Sequence, residues 1–252
     1  MGTNCSLKKN KKLKECKNRP KPFLPYFGGK QRVADEIISK FPDHKVFVEP
    51  FVGGGAVYWK NTVADKFVIN DKNKDICKVY KTAKKSPNSL KRCDLNNMNK
   101  EKFDNLKKKS NKNACEVIKL HKHGFSGSPK SYVEKNRNFK NHLTDEQSKK
   151  LKKTKVLCQD FKKVMEDNDS KDTLHYLDPP YVEAGEEYNT HGVTPEEVCA
   201  VAKKMKGKVV ISYDKHPEVR KACKGLKFRN LNIPYTSSGK KRDAKEYLIT
   251  NY

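Results

Sequence analysis

Residues 45–71 restrict the fold more than any other stretch. Val46-Phe47-Val48-Glu49-Pro50 is a short β-branched and aromatic run, Gly53-Gly54-Gly55 turns the chain, Ala56-Val57-Tyr58-Trp59 opens a helix, and Phe67-Val68-Ile69 is a second run ending at Asn70-Asp71. Strand, turn, helix and strand make a βαβ unit, the usual opening of a doubly wound parallel sheet. The same residues carry chemistry. Glycines between a strand and a helix N-terminus let the backbone approach a ligand. Asp71 follows Gly53 by 18 residues, where a carboxylate accepts from both hydroxyls of a ribose. The G-x-G-x-x-G of NAD sites and the Gly-Lys-Ser/Thr of phosphate loops are absent, so a nucleoside cofactor without pyrophosphate fits best. A plain strand-to-helix turn with a surface Asp is the other reading of this segment by itself.

Elsewhere the Phe27-Gly28-Gly29-Lys30 loop leads into a helical pattern (Val33, Ile37, Ile38, Phe41) that Pro42 stops. Strands are predicted at 155–158, 174–177 and 209–212, with a closing strand over 246–252. Thr194-Pro195-Glu196-Glu197 opens a helix, with Thr as N-cap, Pro at the first position and acids in the first turn. Only 35% of the residues are apolar, yet these runs supply a buried sheet.

The formal charge is +26, unevenly spread. Residues 1–21 hold 8 Lys/Arg against one acid, residues 72–155 hold 25 against 8, and the remainder holds 23 against 21. A nearly neutral body thus carries two basic attachments. Such segments attract polyanions through phosphate neutralisation and counterion release, and a Lys-rich solvated face is the plainer account. The division predicted is a basic flexible arm over 1–20, a catalytic body over 21–71 and 156–252, and a mostly helical insert over 72–155. The eight cysteines show no CxxC and no zinc spacing, which predicts reduced thiols in an intracellular protein, with no metal site. No apolar run approaches the roughly 18 residues of a membrane span. Met1-Gly2-Thr3-Asn4-Cys5-Ser6 matches a myristoylation pattern, though a solvated basic tail is the reading preferred.

Asp178-Pro179-Pro180-Tyr181, after the strand over 174–177, is the most specific motif. An exocyclic adenine amine is a poor nucleophile because its lone pair is delocalised into the ring. Acceptors on both N–H groups let the nitrogen pyramidalise towards a methyl donor. Asp178 offers one acceptor, the Pro179 carbonyl, stiffened by Pro180, offers a second, and Tyr181 offers a face for a flipped base.

These motifs together resemble the DNA adenine methylase (Dam) family of N6-adenine methyltransferases over nearly all of residues 22–252. Residues 22–30, with Tyr26, Gly28, Gly29 and Lys30, resemble the family's N-terminal cofactor loop. The stretch 47–57, with Glu49, Pro50, Phe51 and Gly53 to Gly55, is similar to its glycine motif. Ile69-Asn70-Asp71 resembles its ribose-binding acid, and Tyr247-Leu248-Ile249-Thr250-Asn251 its closing segment. Val156-Leu157-Cys158-Gln159-Asp160-Phe161 resembles the segment that cradles the cofactor adenine, with Asp160 accepting from the amine and Phe161 near the ring.

The resemblance implies a Rossmann-like S-adenosylmethionine (AdoMet) methyltransferase sheet with an inserted DNA-recognition domain over 72–155. It implies double-stranded DNA as substrate and a cognate restriction endonuclease as a possible partner. Within the insert, Lys130, Tyr132, Asn136, Arg137 and Asn138 are the candidate DNA-contacting residues, Arg matching guanine and Asn matching adenine. Three alternatives share the fold: an N4-cytosine methyltransferase, an RNA methyltransferase, and a catalytically inactive nucleic-acid-binding relative. The intact Asp178–Tyr181 motif and glycine turn oppose the last.

Overall fold

Seven strands form one sheet, in the order β3-β2-β1-β4-β5-β7-β6: β1 (Val46–Glu49), β2 (Lys66–Asn70), β3 (Thr154–Leu157), β4 (Thr173–Leu177), β5 (Lys208–Asp214), β6 (Lys227–Ser237) and β7 (Lys240–Thr250). The computed structural model describes residues 20–135, 138–139, 143–182, 192–237 and 240–252, and only the backbone of 232–245. β1 to β5 pair in parallel, whereas β7 runs antiparallel to β5 and β6. The order reverses between β1 and β4, which opens a crevice at the carboxyl ends of those strands.

Alternation along each strand sorts the core into two layers. Phe47, Phe67, Ile69, Leu174, Tyr176 and Val210 face one side, where they meet α1 (Ala34–Ser39), α2 (Ala56–Lys60) and α3 (Lys74–Lys85). On that side α4 (Pro87–Lys91), α5 (Lys100–Lys108), α6 (Ala114–His123) and α7 (Asp145–Lys152) follow along the chain. Leu177, Val209, Ile211, Tyr213 and Ile249 face the other side, under α8 (Phe161–Asp167), α9 (Pro195–Lys204) and α10 (Pro217–Ala222). The Thr194 cap is observed: its hydroxyl accepts from the Glu197 N–H while the Glu197 side chain returns to the Thr194 N–H.

Four elements differ from the sequence-based expectation. β6 was not predicted and β7 starts six residues early, because an outer strand bonded to one neighbour needs no continuous apolar run. α8 and α10 span only seven and six residues, too short to display a helical period. The helices at both ends of the 72–155 segment pack on the common core. Ile76, Val79, Tyr80 and Ala83 of α3 share a core with Phe23 and Trp59, and Leu151 of α7 joins the same cluster. Lysine-rich outer faces dominate the composition of these helices and conceal their apolar sides. The same cluster also takes in Leu90, Leu95, Ala114, Val117, Ile118 and Leu143 from the interior of that segment.

Cysteine pairing corrects a second expectation. The fold joins Cys77 to Cys158, Cys93 to Cys115 and Cys199 to Cys223, at Cα separations of 5.8, 5.6 and 5.1 Å. Free thiols were expected from the absence of CxxC and zinc spacing; the partners lie 81, 22 and 24 residues apart, and only the fold brings them together. Among the described residues no helix is long and apolar enough to cross a membrane.

Lys150 illustrates a charge held inside this body. Its ammonium donates to the carbonyls of Tyr58 and Asn61 at the end of α2 and lies 4.4 Å and 4.2 Å from the ring centres of Tyr58 and Phe67. Burial pushes its pKa down to about 7, with Glu49 opposing the shift. The unfolded chain therefore binds more protons than the native state between pH 7 and the ordinary lysine value, so native stability rises with pH across that window. Relative to Lys150→Met, the melting temperature of the unmodified chain should climb between pH 7 and pH 10. Parallel pH curves for the two proteins would contradict this.

Candidate active site

The carboxyl ends of β1, β2 and β4 surround a cleft of about 540 Å³, within the range for a small-molecule site. Phe51, Gly53, Asp71, Phe161, Asp178 and Pro180 line it, together with Tyr26 from the N-terminal loop and Lys130 from the insert. Gly53 has φ +45°, and a Cβ there would stand 2.7 Å from the Tyr26 ring, so glycine is required on both counts. Asp71 accepts from the N–H groups of Gly53 (3.0 Å) and Asn73 (2.9 Å), which fixes its carboxylate against the glycine turn. Asn70 ties the strand ends together: its amide nitrogen donates to the carbonyls of Pro50 and Gln159, and its oxygen accepts from the Gln159 N–H. Phe51 and Phe161 pack ring against ring at 5.1 Å on one wall.

A smaller cavity continues inward, lined by Gly28, Gly29, Lys30, Glu49, Gly54, Gly55 and Pro179. Here the charges concentrate. Lys30, only 6% exposed, places its ammonium 2.9 Å from Asp178 Oδ1, 3.1 Å from the Gly28 carbonyl and 3.9 Å from Glu246 Oε1. Asp178 Oδ1 also accepts from the Ser212 hydroxyl (2.9 Å) and the Tyr181 hydroxyl (3.3 Å). Tyr176 bonds Ser212 in turn (2.9 Å). Three donors thus converge on one carboxylate oxygen, and none of these three bonds uses Oδ2. The Tyr181 ring stacks with Tyr213 at 5.8 Å and carries the Lys30 ammonium 4.6 Å from its centre.

Burial raises several carboxyl pKa values in this site. Glu49 is lifted well above the usual range by desolvation and then by the negative Asp178, and its Oε2 has no hydrogen-bond partner. Glu246 is raised to about 7 by burial; Lys30 and the Tyr181 hydroxyl oppose the shift, whereas Asp178 and Asp214 add to it. Asp71 is raised to about 6 by desolvation, against the N–H bonds of Asn73, Gly53 and Lys72.

The fold brings Tyr26, Gly28, Gly29, Lys30, Glu49, Pro50, Phe51, Gly53, Gly54, Gly55, Asp71, Phe161 and the Asp178–Tyr181 motif to one edge of the sheet. Asp160 stands differently. It is exposed, its side chain caps α8 by accepting from the Lys162 N–H, and it lines neither cavity. Of the DNA candidates, Lys130 lines the cleft, and Tyr132 turns inward, with its hydroxyl donating to the Met98 carbonyl and its ring beside Phe103. Asn138 is exposed, and Asn136 and Arg137 lie outside the described residues. Ser212 and Glu246 were not anticipated. The only sequence signal for either was a polar residue at the end of an apolar strand.

The sequence model of the D12 class N6 adenine-specific DNA methyltransferases matches residues 26–237. A DNA adenine methylase of Haemophilus influenzae is 27% identical over 90% of this chain and 91% of its own. A Type II methyltransferase of Methanocaldococcus jannaschii is 32% identical over 64% of this chain and 69% of its own. Among solved structures, a precorrin methyltransferase of Geobacter metallireducens superposes with a TM-score of 0.42 at 12% identity, covering 92% of this chain and 98% of that one.

The Asp71 carboxylate should set the pH dependence of nucleoside binding. Its raised native value means that its favourable contribution to stability is present at acid pH and is lost as pH rises through about 6. A ligand donating hydrogen bonds to the carboxylate behaves oppositely and binds better above that value. Calorimetry should show AdoMet affinity falling about three- to five-fold from pH 7.5 to pH 5.5, as the ionised fraction falls. Asp71→Asn should bind weakly and lose this dependence; an unmodified chain with pH-independent affinity would argue against the assignment.

Proposed function

We infer the chemistry from one premise: this chain belongs to the D12 class of N6 adenine-specific DNA methyltransferases and is a site-specific DNA adenine methyltransferase. Membership implies AdoMet as methyl donor, and the residues present fit it. The unpartnered, buried Glu49 Oε2 suits a cationic group, and the glycine turn leaves room where any side chain would collide. We assign Asp71 to the ribose hydroxyls, the Phe51–Phe161 wall to the cofactor's adenine ring, and Tyr26, Gly28, Gly29 and Glu49 to its methionine end. When bound, AdoMet supplies a methyl group made electrophilic by its sulfonium.

The observation that carries the reading is Asp178 at the junction of the two cavities, with Oδ1 fastened by Lys30, Ser212 and Tyr181. A carboxylate fastened on one oxygen presents the other in a fixed direction. We assign Oδ2 and the Pro179 carbonyl to the two N–H groups of a flipped adenine, and Tyr181 to one edge of its pocket. Acceptors on both hydrogens raise electron density on N6, and a site that excludes water strengthens those contacts. The segment 72–155 is proposed as the DNA-recognition unit, on its charge and on Lys130 reaching the cleft rim. A cognate restriction endonuclease is the partner this reading adds, supported by the Type II designation of the Methanocaldococcus relative.

Transfer of labelled methyl from AdoMet to duplexes lacking adenine, lacking cytosine, or made of RNA tests the assignment. Label should enter only adenine-containing DNA, and entry into cytosine or RNA would replace the reading with that chemistry. Asp178→Ala should lower turnover about 10²–10⁴-fold, while the AdoMet dissociation constant stays within about threefold. Exposed Lys107 and Lys108 in α5 serve as a separate check. Their double Ala variant should weaken DNA binding evenly across sequences and reduce the slope of log K against log salt by about 2. An unchanged slope would remove α5 from the interface.

A further inference from the structure

Lys30 is shared between two acids, and only one of them belongs to the Asp-Pro-Pro-Tyr motif. Its ammonium touches Asp178 Oδ1 at 2.9 Å and stands 3.9 Å from Glu246 Oε1, with both acids largely shielded from solvent. The longer contact is an electrostatic one, beyond hydrogen-bond range. Glu246 sits on β7 opposite Asp214 of β5, which adds repulsion, and its Oε2 is buried without a hydrogen-bond partner among the described residues. Among the described residues, the charged and titratable groups facing it are Lys30 from the N-terminal loop, Tyr176 of β4, Asp178 and Tyr181 after β4, and Asp214.

A lone ammonium at 2.9 Å would draw charge from Asp178 and weaken it as an acceptor for an amine hydrogen. A second carboxylate on the far side of the ammonium offsets part of that pull. We propose that Glu246 is a positioning residue for methyl transfer, which divides the Lys30 charge with Asp178 so that Asp178 stays fixed in direction yet strong as an acceptor. No bond to Glu246 forms or breaks. The inference rests on the assignment of Asp178 to the adenine amine, and it adds a residue 68 positions further along the chain.

The arrangement predicts a proton-dependent step. With Glu246 raised to about 7, acid below that value neutralises it and removes its share of the Lys30 charge. At saturating AdoMet and DNA, kcat of the unmodified enzyme should fall about tenfold as pH drops through 7. Glu246→Gln should show the low value at all pH, with no step near 7 and with both KM values within about threefold. Glu246→Asp, which keeps the charge, should retain the step and most of the rate.

Nitrogen NMR of the Lys30 ammonium in the substrate-free protein supplies a readout independent of turnover: its signal should move through the same pH transition and stay still in Glu246→Gln. An absent step in the unmodified enzyme overturns the proposal without any variant. A Glu246→Gln loss that keeps the step, or appears in KM, also overturns it, since that is the mark of a merely structural role. If the Lys30 signal moves but no adenine is methylated, the functional reading has failed and the charge sharing stands.

Discussion

The buried ion pair between Lys30 and Asp178 is the contact on which the catalytic edge depends. Two charges removed from water are costly unless their remaining donors and acceptors are satisfied. The fold satisfies them from four directions: the Gly28 carbonyl and Lys30 from the N-terminal loop, Ser212 from β5, Tyr181 beyond β4, and Glu246 from β7. Each of those elements is held in register by the sheet. β4 and β5 pair at Leu177–Ile211, and β5 and β7 at Asp214–Glu246. The antiparallel β6–β7 hairpin therefore does more than cover the edge of the sheet, since it delivers a carboxylate to the centre of the site.

A second constraint gathers around Tyr26. Its ring fills the space that the absent side chain of Gly53 leaves, and it stacks on His121 of α6 at 5.6 Å. His121 is held by the Gly127 carbonyl at 2.7 Å, and burial lowers its pKa, so a neutral ring packs there. Gly127, at φ +84°, presses on the Tyr26 backbone, where a Cβ would stand 2.9 Å from the Tyr26 nitrogen. The glycine turn, the cofactor loop and the segment proposed to read DNA thus meet at a single side chain. Displacing the 124–130 loop would repack Tyr26 and with it the wall of the cleft, because close-packed interiors have few alternatives to offer.

How much of this was legible beforehand divides by distance along the chain. The βαβ opening, the glycine turn, the Thr194 cap and the Asp178–Tyr181 motif each lie within a few residues, and their identity follows from local backbone chemistry. The family resemblance rested on the same short segments and their order. Asp160 carries a second role that its motif position did not signal: one oxygen of its carboxylate caps α8. Composition has its own limit: it counts a helix's exposed lysines and its buried Ile76 and Tyr80 alike, whereas packing distinguishes them.

The sequence alone determined the class of the sheet, the chemistry of the glycine turn and the presence of an acceptor suited to an amine, because these are properties of contiguous residues. Only the tertiary structure decided that Lys30 meets Asp178, that Ser212 and Glu246 join them, that α3 and α7 belong to the body, and that six cysteines pair. Those contacts join residues tens to hundreds of positions apart. They exist only once seven strands have settled into one register, since a slip of a single residue would turn Ser212 and Glu246 to the opposite face.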